Sequence, residues 1–171
     1  MEFRTLISEE QIKARVKELA QQIDEDFKGE PFILTPVLRG SFIFAADLIR
    51  EIQGDVSIDF IEAKSYSGTE STGTLTITKD TREDIKGKNV IIVEDIIDTG
   101  VTLKELTKEY LKRGPKSLKV CACFDKPTRR TVDFNGDYVG FEIPNEFVIG
   151  YGLDYNEKYR NLKEVQIYEE K

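Results

Sequence analysis

The segment Glu94-Asp95-Ile96-Ile97-Asp98-Thr99-Gly100-Val101-Thr102 gathers the groups most able to do chemistry in this 171-residue chain. It follows the β-branched run Val90-Ile91-Ile92-Val93, so a strand buried on both faces ends in two adjacent carboxylates. An apolar pair then delivers Asp-Thr-Gly-x-Thr to a helix start. The free N–H groups there, the hydroxyls of Thr99 and Thr102 and the flexibility of Gly100 make an anion cradle suited to phosphate. Three carboxylates beside such a cradle would repel an isolated phosphate. The conflict resolves if the phosphate belongs to a sugar whose hydroxyls donate to Glu94 and Asp95, with a divalent cation balancing the charge. Ribose 5-phosphate bearing a further leaving group fits that description. A metal-free acidic loop that merely caps a helix is the blander alternative.

Composition narrows the chemistry further. The chain has no histidine, which removes Ser-His and Cys-His nucleophilic pairs. Acid–base work then falls to carboxylates, lysine or tyrosine. Cys121 and Cys123 are the only cysteines. On alternate positions of one strand they would make a strained disulfide, and without histidine a poor zinc site, so buried thiols in a reducing compartment are expected. Neither a Walker A loop nor Gly-x-Gly-x-x-Gly follows any strand. A net charge of −7 argues against non-specific nucleic-acid binding. No apolar run reaches the roughly 20 residues of a membrane-spanning helix. The start Met1-Glu2-Phe3-Arg4 lacks the apolar core of a signal peptide, so a cytoplasmic location is expected.

The elements that must position this segment read as alternating helices and strands. Ser8-Glu9-Glu10-Gln11 is a capping box, with Ile7 and Ile12 placed as a hydrophobic staple. Ile12, Val16, Leu19, Ile23 and Phe27 recur at helical spacing. Phe32 to Leu38 suits a buried strand, Leu38-Arg39-Gly40-Ser41 a turn, and Phe42 to Ile52 a second helix. Val56 to Ala63 reads as one strand, Asn89 to Val93 as the next. A helix from Thr102 to Arg113 stops at Gly114-Pro115, and Leu118 to Phe124 forms another strand. This alternation predicts an α/β fold with a mainly parallel central sheet flanked by helices. Ser65 to Thr76 is rich in small polar residues, and its composition alone favours a surface hairpin over a mobile lid. The whole of 1–171 reads as a single domain.

Taken together, these motifs resemble the type I phosphoribosyltransferases. The likeness rests on Leu38-Arg39-Gly40-Ser41, Lys64-Ser65-Tyr66, the Glu94 to Thr102 block, Lys126, and Phe141-Glu142-Ile143-Pro144 through Arg160. The run Phe147-Val148-Ile149-Gly150-Tyr151-Gly152-Leu153-Asp154-Tyr155-Asn156-Glu157 is similar to that of the branch acting on 6-oxopurines. The resemblance implies transfer of the phosphoribosyl group of PRPP to hypoxanthine or guanine, with IMP or GMP and pyrophosphate as products, no nucleic-acid or membrane partner, Mg²⁺ as cofactor, and a homodimer or homotetramer. It implies a core over about residues 30–125 and a small hood built from the N-terminal segment and about 126–171. A xanthine-preferring relative, or a non-catalytic PRPP-binding regulator of the same fold, is the alternative.

Site roles follow from the resemblance residue by residue. It implies that Asp98 handles the N7 proton of the base, that Glu94 and Asp95 hold ribose hydroxyls and metal, and that Asp98, Thr99, Gly100, Val101 and Thr102 bind the 5′-phosphate. Some relatives carry lysine where this chain has Val101. Arg39, Gly40 and Arg160 are expected at the pyrophosphate, with a non-proline cis peptide in the Arg39–Gly40 loop. Asp154 is expected on Mg²⁺. Lys126 would face the 6-oxo group, since an ammonium has donors only. Phe147, Val148, Leu153 and Asp154 would line the purine. Ser65 and Tyr66 would belong to a closing loop that excludes water, and here the lid reading prevails.

Overall fold

Ser8 starts the first helix as its spacing predicts. Its hydroxyl accepts from the Gln11 N–H at 3.2 Å and the Gln11 side chain accepts from the Ser8 N–H at 2.9 Å. The computed structural model describes residues 2–65 and 75–169. Strand β1 (Glu2–Ile7) precedes helix α1 (Glu9–Phe27), whose buried stripe is Ile12, Val16, Leu19, Ala20, Ile23 and Phe27. Then come β2 (Phe32–Pro36), α2 (Phe42–Glu51), β3 (Val56–Ile58), β4 (Glu62–Ser65), β5 (Leu75–Lys79), β6 (Asn89–Ile97) and α3 (Val101–Lys112). Strand β7 (Ser117–Asp125), a 3₁₀ turn (Pro127–Arg129), β8 (Tyr138–Glu142), β9 (Val148–Ile149) and β10 (Val165–Glu169) complete the chain.

Five strands form the central sheet in the order β3-β2-β6-β7-β8, all parallel. Side chains alternate across it. Ile91, Val93, Cys121 and Cys123 pack with α1 and α2 on one face. Val90, Ile92, Val120 and Ala122 pack with α3 and the β4–β5 hairpin on the other. Both thiols are free and fully buried, and burial pushes Cys121 up to about 12. β1, β10 and β9 form a separate antiparallel sheet, and β4 pairs with β5.

Two sequence expectations change. The strand expected over Val56 to Ala63 is two: β3 ends at Ile58, and the buried Asp59 turns the chain by accepting from the N–H groups of Phe60 (3.0 Å) and Glu83 (2.7 Å). The chain then leaves the sheet to pair with β5. The parallel sheet also extends past residue 125, because β8 adds to β7 through Cys121↔Tyr138 and Phe124↔Phe141.

The strand order fixes where a ligand can sit. The chain winds outward from β2 to β3 on one side and from β6 to β7 and β8 on the other. The switch point lies between the carboxyl ends of β2 and β6, where open α/β sheets bind ligands.

Candidate active site

The loop after β2 and the end of β6 meet at that switch point. A Cβ on Gly40 would overlap the Asp95 carboxylate, so the carboxylate keeps this position only against a glycine. The Leu38–Arg39 peptide is cis, in the loop where the resemblance expects such a bond. Asp95 donates its N–H to Glu94 Oε1 at 3.0 Å, and its own Oδ1 accepts from the Ile96 N–H at 2.7 Å. Burial, and then the neighbouring Asp95 charge, push the Glu94 carboxyl well above the usual carboxylate range. A third segment closes on the same place: a Cβ on Gly152 (φ +96) would overlap the Gly40 carbonyl.

The expected anion cradle falls at the start of α3. Gly100 precedes α3 with φ +86, and no side chain caps the helix. The first-turn amides therefore face outward without intrahelical partners; only the Val101 N–H has a local contact, a long one to Thr99 Oγ1 at 3.4 Å. The Thr102 hydroxyl lies 2.5 Å from that of Ser65 at the end of β4, so the hairpin base touches the cradle. Tyr66 lies outside the described residues.

Asp98 is half-exposed at the mouth of the cradle, and two arginines hold it. Arg129 Nε donates to Asp98 Oδ1 at 2.9 Å. Arg130 donates to the Asp98 carbonyl (2.7 Å), to buried Asp125 (2.6 Å) and to the Phe134 carbonyl (2.7 Å). The Thr131 N–H adds a bond to the Thr99 carbonyl at 3.1 Å. The sequence reading passed over both arginines. A basic pair just after Lys126-Pro127-Thr128, in an acidic chain whose carboxylates need partners, was the available signal.

Lys126 sits beside this loop, its N–H donating to the Ile97 carbonyl at 2.9 Å. It is only 9% exposed, and its ammonium has no hydrogen-bond or ion-pair partner among the described residues. Burial lowers its pKa, opposed by the charges of Asp98 and Glu146. Phe147 keeps 48% of its surface exposed while its edge meets Tyr155 and Tyr168 at 5.7 and 5.8 Å. Val148 and Leu153 are buried behind it, and Leu153 is locked to Gly150 by two backbone bonds of 2.9 and 3.0 Å.

Asp154 and Arg160 lie on the segment beyond. Asp154 accepts from the Glu157 N–H at 2.9 Å and pairs with Arg160 at 3.4 Å. Arg160 also donates to the Gly152 carbonyl at 2.6 Å, and its Nε is buried without a partner. Glu157, which the sequence reading did not single out, pairs with both Arg39 (3.1 Å) and Arg160 (3.2 Å). An exposed glutamate in a loop carries no sequence signal of such a role.

No three metal-binding side chains cluster among the described residues. A hard cation of the Mg²⁺ type takes one or two carboxylates and fills its shell with water and substrate oxygens. The crowded Glu94–Asp95 pair, with Glu94 held toward its neutral form, is a donor set that a cation would relieve.

Comparison with known proteins agrees with this geometry. The phosphoribosyl transferase domain matches residues 5–156. The chain is 48% identical over 170 residues to a hypoxanthine-guanine phosphoribosyltransferase of Aquifex aeolicus, covering 98% of this chain and 96% of that one. It is 50% identical over 160 residues to the hypoxanthine phosphoribosyltransferase of Escherichia coli K12, covering 92% and 90%. A crystal structure of a hypoxanthine-guanine phosphoribosyltransferase from Bacillus anthracis, with a HEPES molecule in its active site, superposes with TM-score 0.93 at 55% identity, covering 96% and 98%. A cradle at the switch point, a carboxylate pair beside it and a match over most of the chain lead to one assignment: this protein belongs to the phosphoribosyltransferase family and has its α/β fold.

Proposed function

We propose that the protein transfers the 5-phosphoribosyl group of PRPP to N9 of hypoxanthine or guanine, giving IMP or GMP and pyrophosphate. The observation that carries this reading is the juxtaposition, at one switch point, of an uncapped helix start, the Glu94–Asp95 pair and a buried lysine whose ammonium has no partner among the described residues. The amides from Thr99 to Thr102 bind the 5′-phosphate, and Glu94 and Asp95 accept from the ribose hydroxyls. Arg39 and Arg160 hold the pyrophosphate. As N9 forms its bond to the ribose C1′, the bond from C1′ to the pyrophosphate oxygen breaks, and the Asp98 carboxylate takes the N7 proton.

Lys126 donates to the 6-oxo oxygen and disfavours an amino group at that position, because donor would face donor. Phe147 offers its exposed ring face to the purine, backed by Val148 and Leu153. The small sheet of β1, β10 and β9 serves as a hood over the base. Ser65, at the end of β4, brings its hydroxyl to that of Thr102 beside the 5′-phosphate amides. Asp154, with Glu94 or Asp95, would hold Mg²⁺, which would supply positive charge to balance the leaving pyrophosphate.

Nucleotide formation from PRPP with hypoxanthine, guanine, xanthine and adenine in parallel, with and without EDTA, tests this reading. Turnover of the first two, suppressed by EDTA, is expected. Preference for xanthine would leave the fold and cradle standing and overturn the account of base selection. Binding of PRPP with no turnover of any base would replace the enzyme by a PRPP-binding regulator.

A further inference from the structure

Glu157 is the meeting point of two cations that the site needs elsewhere. Its carboxylate accepts from Arg39 at 3.1 Å and lies 3.2 Å from Arg160 through both oxygens. Arg39 follows β2, whereas Arg160 lies in the loop before β10, so one carboxylate bridges two distant chain segments. Three features mark the contact as one built to change. Glu157 and Arg39 are both well exposed, 59% and 62% at the side chain, so water can replace either partner at little cost. Glu157 sits at φ +64, beside Asn156 at φ +51, a backbone region that L residues other than asparagine seldom adopt. The Arg160 Nε is buried with no acceptor among the described residues, so the glutamate leaves that guanidinium incompletely satisfied.

We infer that Glu157 is an internal competitor for the pyrophosphate group, occupying the two arginines when substrate is absent and yielding them when it binds. This rests on the assignment of Arg39 and Arg160 to pyrophosphate under the proposed function. A carboxylate and a phosphoryl oxygen are both planar or tetrahedral anionic acceptors of the size that a guanidinium fork engages, so the exchange is anion for anion. The pyrophosphate brings more oxygens and more charge, and therefore wins at saturation. After the C1′–O bond has broken, the returning carboxylate shortens the stay of the product. The Glu157 N–H bond to Asp154 ties the same exchange to the carboxylate proposed for Mg²⁺.

The prediction runs opposite to that of a purely structural role. If Glu157 only oriented Arg160, its removal would weaken pyrophosphate binding. If it competes, apparent affinity is reduced by the fraction of molecules in the bridged state, and removal restores it. One exposed ion pair and one half-exposed ion pair of ordinary strength set that gain at about three- to tenfold. Glu157→Gln and Glu157→Ala would be compared with wild type by calorimetric titration with pyrophosphate in the presence of Mg²⁺, and by pyrophosphate inhibition of nucleotide formation. Both variants binding pyrophosphate about three- to tenfold more tightly, and inhibited at correspondingly lower concentration, is the expected result. Unchanged or weaker binding in both variants, with a wild type that turns over normally, would overturn the competition and leave the proposed function intact. A wild type that neither binds pyrophosphate nor forms nucleotide would sink the proposed function, and this inference with it.

Discussion

Under the proposed function, Lys126 owes its selectivity to its surroundings. Its stem is buried and its ammonium has no acceptor among the described residues, so the group keeps its charge at a cost that a ligand carbonyl can offset. Burial lowers its pKa, and the sign of the consequence follows directly. The protonated form is the donor, and it is lost as pH rises through a value below the ordinary lysine range. Affinity for the base is therefore expected to fall on the alkaline side earlier than a solvent-exposed lysine would dictate. The pH dependence of kcat/KM for hypoxanthine checks this, and Lys126→Gln should lower kcat/KM and abolish that alkaline limb. A limb that survives the substitution would assign it to another group.

At the scale of elements, the site depends on glycines that let three segments touch. Gly40→Ala would drive a methyl group into the Asp95 carboxylate, so that carboxylate must turn out of its present position. Displacements near 1 Å at a reacting centre cost about 10²-fold in rate, and a loss of that order in a folded protein is expected, read from kcat beside an unchanged circular dichroism spectrum. Arg130 joins the Asp98 loop to Asp125 in an ion pair with side chains only 13% and 9% exposed. Arg130→Met would strand the buried carboxylate and should cost about 3–5 kcal/mol in urea unfolding; a change below about 1 kcal/mol would show that Asp125 has other support.

Much of this arrangement was legible in the residues, where local chemistry decides the outcome. The capping box at Ser8, the buried run before Glu94 and the turn at Gly100 each carry their own physical reason, and each stands where expected. The break between β3 and β4 was not legible, because Asp59 turns the chain through hydrogen bonds to Phe60 and to the distant Glu83. Membership of β8 in the central sheet depends on pairing with β7, not on its own short pattern. Arg129, Arg130 and Glu157 were missed for a similar reason: each has a partner far along the chain, 31, 32 and 118 residues away.

The whole molecule is a sheet packed between two apolar layers that brings residues 39–40, 94–102 and 152–160 to one edge. No helix among the described residues is long and apolar enough to cross a membrane. Because these segments come from separate parts of the fold, a ligand that bridges them should stabilise the native state as a unit. PRPP with Mg²⁺ at 100 times its Kd is expected to add about 2.7 kcal/mol, or roughly 5–10 °C in Tm for a chain of this size. Differential scanning calorimetry reads this directly, and the shift should shrink when EDTA is present.

The central claim, that Asp98 at the mouth of the cradle moves the proton while the cradle binds the substrate, is tested most directly by Asp98→Asn. Asparagine keeps an acceptor for Arg129 and removes the base. The account predicts that kcat for IMP formation falls by about 10²- to 10⁴-fold while PRPP still binds with near wild-type affinity. Nucleotide formation at the wild-type rate by this variant would contradict it.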